Sequence, residues 1–453
     1  MTQTKGPLRR NFIISIATLA FMYFIFGFVS WINAILIPYF KIACELTNFE
    51  SYLVAFAFYI AYLVMSMPGA FLLKKVGFKR GIMFGFFALS LGTLIFVPAA
   101  LTRTYGIFLT GLFTMGTGLA ILQTAANPYV TIIGPLDKAV QRMSIMGVCN
   151  KFAGIVSPLI FAAFTLKATD KELFAALPAM AETARNLALD EMIRRVVLPY
   201  SCLSVLLFAV GLFIRYSVLP EINTEEESEE LAAAHAGKHS VFQFPYLVFG
   251  AIALFLHVGT QVIAIDTIIG YATSMGMDLI SAKAFPSYTL TATIIGYITG
   301  IFCIPRFISQ TDSLRVCTIA GLLLSFCILF MPGHMMFKGH EIAISIWFVV
   351  LLGLPNALIY AGIWPLAIRN LGRFTKTGSS VLIMGLAGNA ILPLVYGHFA
   401  DQVGTRQAYW VLAPCFLYLV FYAAYGHKIT EWKRRRPATP PANGEKLHAT
   451  QMQ

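Results

Sequence analysis

Residues 127–160, NPYVTIIGPLDKAVQRMSIMGVCNKFAGIVSPLI, and residues 363–395, IWPLAIRNLGRFTKTGSSVLIMGLAGNAILPLV, read as two copies of one pattern. Pro128 answers Pro365, Met146-Gly147 answers Met384-Gly385, and Asn150 nearly answers Asn389. In each copy an apolar run ends, a short basic segment follows, and a second apolar run begins. Membrane helices share a limited alphabet, but these matches include proline and polar positions, so they signal an internal repeat. Two parallel six-helix halves of this kind rock around a site held between them.

Outward from this pair the whole chain is apolar. It has 453 residues, 58% hydrophobic and 12% charged, whereas a soluble globular protein carries roughly a quarter charged residues. Crossing the hydrocarbon takes roughly 20 apolar residues. Such runs lie at 12–37, 51–73, 81–101, 105–127, 141–166 and 197–217, then at 244–274, 282–304, 314–332, 341–367, 379–399 and 408–427. The expected fold is all-α and membrane-embedded, with about twelve transmembrane helices in two pseudo-symmetric six-helix halves. The halves cover 1–217 and 244–427, joined by a linker at 218–243 and followed by a basic tail at 428–453. The run from Phe12 to Ile37 is too long for a signal-peptide core, and reads as the first span.

The basic residues set the orientation. With the N-terminus inside, about 22 Lys and Arg fall on the inner side and about 10 on the outer, which is the positive-inside bias. Half of the outer ones sit in one long loop, 167–196, where the rule weakens. Both termini are therefore expected in the cytoplasm, with the chain in a bacterial inner membrane. The net charge of +12 does not indicate nucleic acid, because no aromatic patch is interleaved with it. The seven cysteines form no CxxC pair and lie mostly in apolar runs, so neither a disulfide framework nor a metal site is expected. The loop 167–196 has helical spacing, and 218–243 carries EEESEE with His235 and His239 beyond it. Neither buries a core of its own, which excludes a hidden soluble catalytic domain.

Polar groups inside the spans are costly and need a partner, a cavity or a task. The first span carries Trp31 and Asn33, the fourth Gln123 and Asn127, the fifth Asn150 and Lys151. The seventh carries His257, Gln261 and Asp266, the tenth Asn356, Tyr360 and Trp364, the eleventh Asn389. Spans one, four and five are thus matched by seven, ten and eleven, as a cavity between two halves requires. Amides both donate and accept, as sugar hydroxyls do, and Trp and Tyr offer flat faces to a sugar ring. Interhelical amides also serve as packing glue. Asp266 and Lys151 are charged, each costing roughly 2.5–3.5 kcal/mol at a helix centre. Asp266 suits a coupling role, with a proton or sodium as the ion and no other cofactor; a static Asp266–Lys151 pair is the structural alternative.

The stretches LTNFESYLVAFAFYIAYLVMSMPGAFLLKKVGFKRG (46–81), LQTAANPYVTIIGP (122–135) and GRFTKTGSSVLIMGLAGNAILPLVYGHFAD (372–401) resemble the fucose–galactose–glucose cation symporters of the major facilitator superfamily. The resemblance covers nearly all the spans and implies the major facilitator fold, with cation-coupled monosaccharide uptake by alternating access. Lys74 stands where the general superfamily motif has an acid. The fucose branch carries an acid after the first-span asparagine, where this chain has Ala34 after Asn33, and a glutamate where it has Gln123. Asn150 matches that branch's substrate asparagine, while Gly147 replaces its glutamine. Laying the first span on the seventh puts Asp266 opposite Ala34, so the acid has the pseudo-equivalent place in the other half. HVGTQVIAIDTI (257–268) and CNKFAG (149–154) are more similar to the N-acetylglucosamine or glucose-type branches.

The expected function is import of a neutral monosaccharide, a hexose or N-acetylhexosamine, with a proton or sodium ion. Its substrate contacts are Asn33, Gln123, Asn127, Asn150, Gln261, Asn356, Trp364 and Asn389, and its coupling groups Asp266 and Lys151. The chain is expected to act as a monomer in the lipid bilayer, with no nucleic-acid partner. Uniport without coupling is the alternative if Asp266 is locked to Lys151. A membrane glycosyltransferase would place acids and histidines at catalytic spacing in the loops, and EEESEE has none.

Overall fold

The computed structural model describes residues 5–46, 48–165, 176–217, 238–277, 284–337 and 339–432, with Asp170, Leu173 and Ala282. Most of the expected linker and nearly all of the tail lie outside the described residues. In hydrocarbon a backbone must satisfy its own hydrogen bonds, and the described chain is accordingly helical nearly throughout. Among the described residues, nine stretches are long and apolar enough to cross a membrane. One of them, Leu53–Thr102, has 50 residues, or about 75 Å of helix, more than twice the roughly 30 Å hydrocarbon thickness. It breaks at Gly77, where φ is 82° and ψ 173°, and the chain turns back so that Gly81 lies against Leu73. The helix Asn48–Thr102 is therefore the second and third spans.

Two further helices, Ala139–Thr165 and Phe285–Cys303, stand in the same bundle as the fifth and eighth spans. The described residues thus make twelve crossings. The others are Lys5–Ala43, Tyr105–Ile132 and Val197–Tyr216 in the first six, and Pro245–Asp266, Gln310–Phe330, Ser345–Ile368, Thr375–Val403 and Leu412–Ala424 in the last six. The first six spans pack chiefly on one another, as do the last six. Lipid gives helices no hydrophobic reason to associate, so close approach at small residues carries the packing. Gly85 and Gly118 bring the third and fourth spans together, and Gly27 seats the first span on the backbone of Asn150 in the fifth. Gly388 seats the eleventh on the backbone of Phe255 in the seventh in the equivalent way.

Several basic residues that orient the chain also cap helix ends. Arg142 is buried and donates to the carbonyls of Val130, Thr131 and Pro135 at 2.9, 2.7 and 2.8 Å, closing the end of the fourth span. Arg406 does the same for the ninth span at Ile328 and Met331, and Arg315 for the twelfth at Ala423. The last turn of a helix leaves carbonyls unpaired at its negative end, where a cation is favourable.

Three details depart from the apolar runs. The run expected at 341–367 begins as a strand: His334–Phe337 pairs antiparallel with His340–Ala343, with Gly339 at φ 83° in the turn, and the tenth span starts at Ser345. The seventh helix ends at Asp266, bends at Thr267 and resumes as Ile268–Ser274. The loop 167–196 holds a helix, Glu182–Arg194, pinned to the ends of the spans by Arg103–Asp190 at 3.1 Å and by an Arg185–Glu45 ion pair. Gly77→Ala should lower stability by about 1–2 kcal/mol, the cost of a Cβ in left-handed backbone, visible as a lower thermal midpoint in detergent.

Candidate functional site between the halves

The halves meet at mid-depth and on the side of the bundle that carries both termini. There Gln310 of the ninth span accepts from the Val140 amide at 2.9 Å and donates to the Leu136 carbonyl at 2.6 Å, and Gln141 donates to the Ile301 carbonyl at 2.7 Å. Above this seam lies a cleft of about 930 Å³ including its mouth. The first half contributes Ser30, Trp31, Tyr59, Tyr62, Gln123, Asn150 and Lys151 to its wall, and the second Gln261, Tyr297, Tyr360 and Asn389.

The floor is a chain of hydrogen bonds across the halves. Tyr23 donates to Asn127 Oδ1, and Asn127 Nδ2 donates to the Tyr360 hydroxyl at 3.0 Å. Asn127 is fully buried, so its amide ties the halves together beneath the cleft.

Two amides, one from each half, have complementary groups to spare. Asn150 Nδ2 donates to the Tyr23 carbonyl at 3.3 Å; a carbonyl only accepts, so Oδ1 is left as an acceptor. Gln261 Oε1 accepts from Lys151 Nζ at 3.2 Å; an ammonium only donates, so the Gln261 NH2 is left as a donor. Gln123 bonds the Tyr62 hydroxyl at 3.1 Å. Asn150 and Asn389, the near-matched asparagines of the repeat, face the cleft from equivalent helices.

Lys151 is 6% exposed and sits over the Trp31 ring, Nζ 4.9 Å from its centroid. Asp266 is solvent-accessible at the last residue of its helix. It stands four residues beyond Val262, which lines the cleft, and so on the same helix face one turn nearer the mouth. The charges of Lys151 and Asp266 are close enough to interact. Among the described residues, however, no ion pair within 4.0 Å joins them. The static pair considered from sequence is not formed.

Of the expected substrate contacts, Gln123, Asn150, Gln261 and Asn389 line the cleft. Asn127 lies beneath it, and the side chain of Asn33 is outside the described residues. Asn356 and Trp364 stand behind the wall, on the same face of the tenth span as Tyr360, which alone of the three reaches the cleft. The Asn356 amide and both ring nitrogens of His257 are buried without a protein hydrogen-bond partner among the described residues. Sequence reasoning missed Ser30, Tyr59, Tyr62 and Tyr297. The spacing of Tyr59 and Tyr62 puts both on one helix face, but tyrosines in an apolar run carry little signal. Gly147 has a reason the sequence did not show: a Cβ there would lie 2.3 Å from the Tyr297 ring, which presses on the fifth span from the other half.

Residues 19–388 match the Major Facilitator Superfamily. The chain belongs to that superfamily. It is 31% identical over 428 residues to a glucose/galactose transporter of Brucella abortus, covering 94% of this chain and 97% of that one. It is 29% identical over 420 residues to the L-fucose-proton symporter of Escherichia coli, covering 92% and 94%. Its structure superposes on the transporter FucP in the outward conformation with a TM-score of 0.78 at 27% identity, over 92% of this chain and 99% of that one. The chain is thus a multi-pass membrane transporter and not an enzyme, and the family resemblance read from 46–81, 122–135 and 372–401 is borne out.

If the Tyr297–Gly147 contact holds the termini side closed, Gly147→Leu should part the halves there. With Leu136→Cys and Gln310→Cys as reporters, disulfide cross-linking should fall in Gly147→Leu and recover when Tyr297→Ala is added.

Proposed function

We propose that this transporter imports a neutral monosaccharide, a hexose or N-acetylhexosamine, together with a proton or sodium ion, by alternating access. The observation that carries the reading is the pair of cleft-lining amides, one from each half, Asn150 with a spare acceptor and Gln261 with a spare donor. A sugar hydroxyl both donates and accepts, and so matches both groups, as a lipophilic cation does not. Trp31 and Tyr297 supply flat apolar faces on either side. Relatives named for glucose, galactose and fucose transport support the same substrate class.

With the termini in the cytoplasm, as the positive-inside count argues, the sealed side is cytoplasmic and the cleft faces outward in a bacterial inner membrane. The cleft is built wholly from one chain, so a monomer suffices. Asp266 is the coupling group in this reading. It ends a helix that bends at Thr267, and the carbonyl end of a helix favours a cation. Uniport is the alternative, but it rested on Asp266 being locked to Lys151. Their separation favours a carboxylate free to take a cation.

Asp266→Asn should abolish sugar accumulation against a gradient in proteoliposomes while leaving sugar exchange between the two sides. Accumulation at the wild-type level would remove Asp266 as the coupler. Asn150→Ala should weaken sugar binding by about two- to ten-fold, the worth of one net hydrogen bond, as read by titration calorimetry.

A further inference from the structure

Lys151 is the cation on the cleft wall, and a plain hexose offers it only neutral hydroxyl and ring oxygens as acceptors. The amides and hydroxyls on the wall both donate and accept, as a sugar hydroxyl does, whereas an ammonium only donates. Its surroundings leave it under-partnered. The bond to Gln261 Oε1 is 3.2 Å, long beside the 2.7–2.9 Å typical of a charge-assisted pair. The Trp31 ring gives a cation–π contact at 4.9 Å, and no carboxylate lies within 4.0 Å among the described residues. A charge at this depth is costly without a strong partner. If Asp266 takes the coupling cation, its carboxylate no longer balances the ammonium. What remains is a donor-only cation, 6% exposed, on the wall of an open cleft.

We propose that Lys151 is a substrate-recognition residue, and that it selects sugars bearing an sp2 oxygen that accepts but does not donate: the carbonyl of an acylamino substituent or the carboxylate of an acid sugar. This rests on the sugar-transport reading: the acylamino carbonyl narrows it, and the carboxylate would replace its neutral substrate with an anionic one. The substituent's oxygen replaces Gln261 Oε1 as the ammonium's partner, freeing the whole Gln261 amide for ring hydroxyls, while the Trp31 face keeps the ammonium in place. Lys151 thereby passes from a coupling group to a determinant of specificity, and coupling is left to Asp266.

The test is competition against a bound labelled sugar in purified, reconstituted protein, using D-glucose, N-acetyl-D-glucosamine and D-glucuronate as probes. The wild type should bind one of the latter two about ten-fold or more tightly than glucose, as a charge-assisted hydrogen bond allows. Preference for the acetylamino sugar would identify the carbonyl, and preference for glucuronate the carboxylate. Lys151→Met should collapse that preference to within about two-fold, and Lys151→Arg should retain part of it, which also controls for folding. Glucose bound as well as or better than both other probes would overturn the proposal and leave sugar transport standing. So would an equal loss for all three sugars in Lys151→Met. Binding of none of the three to the wild type would overturn the sugar reading and this inference with it.

Discussion

In hydrocarbon no water satisfies a polar group, so each amide, hydroxyl and charge carried into a span must find a protein partner or a wet cavity. Here that constraint draws polar residues to the seam between the halves. Asn127 is consumed in the bridge from Tyr23 to Tyr360, Asn150 is anchored on a backbone carbonyl, and Lys151 leans on Trp31 and Gln261. Once these are settled, the cleft has a floor that joins the halves and walls that keep selected donors and acceptors free. Its distribution of spare groups is a consequence of what the floor and walls have already used.

The same seam explains how a site can be shut on one side and open on the other. Gln310, Gln141 and the Tyr297–Gly147 contact lie on the termini side of the cleft. These are a few hydrogen bonds and one ring seated on a glycine, small enough to be exchanged for other contacts when the halves rock. His257 and Asn356 add a second feature, buried polar atoms without protein partners among the described residues, behind the second half's wall.

Much of this was legible in the sequence. The length of the apolar runs and the repeat around Met146-Gly147 and Met384-Gly385 express constraints that act locally, on each helix in lipid. They gave twelve crossings, the two-half plan and the family. Residues such as Asn150 and Asn389 were findable because the repeat marks them twice. What was not legible depends on position along the helix: Asn356, Tyr360 and Trp364 share one face, and of the three only Tyr360 lies at the level of the cleft. Tyr59, Tyr62 and Tyr297 were hidden because a tyrosine is as ordinary in a core as in a site. The hairpin at 334–343 escaped because its second strand begins an apolar run that continues into the tenth span. The separation of Asp266 from Lys151 depends on how far the halves are parted, which no single span encodes.

Uptake of a panel of labelled monosaccharides into proteoliposomes, under imposed proton or sodium gradients, tests the central claim most directly. Accumulation of one sugar above its external concentration, collapsing when the gradient is dissipated, is the predicted result and names both sugar and ion. Equilibration without accumulation under either gradient would contradict coupling, and absence of uptake for every sugar would contradict the substrate class itself.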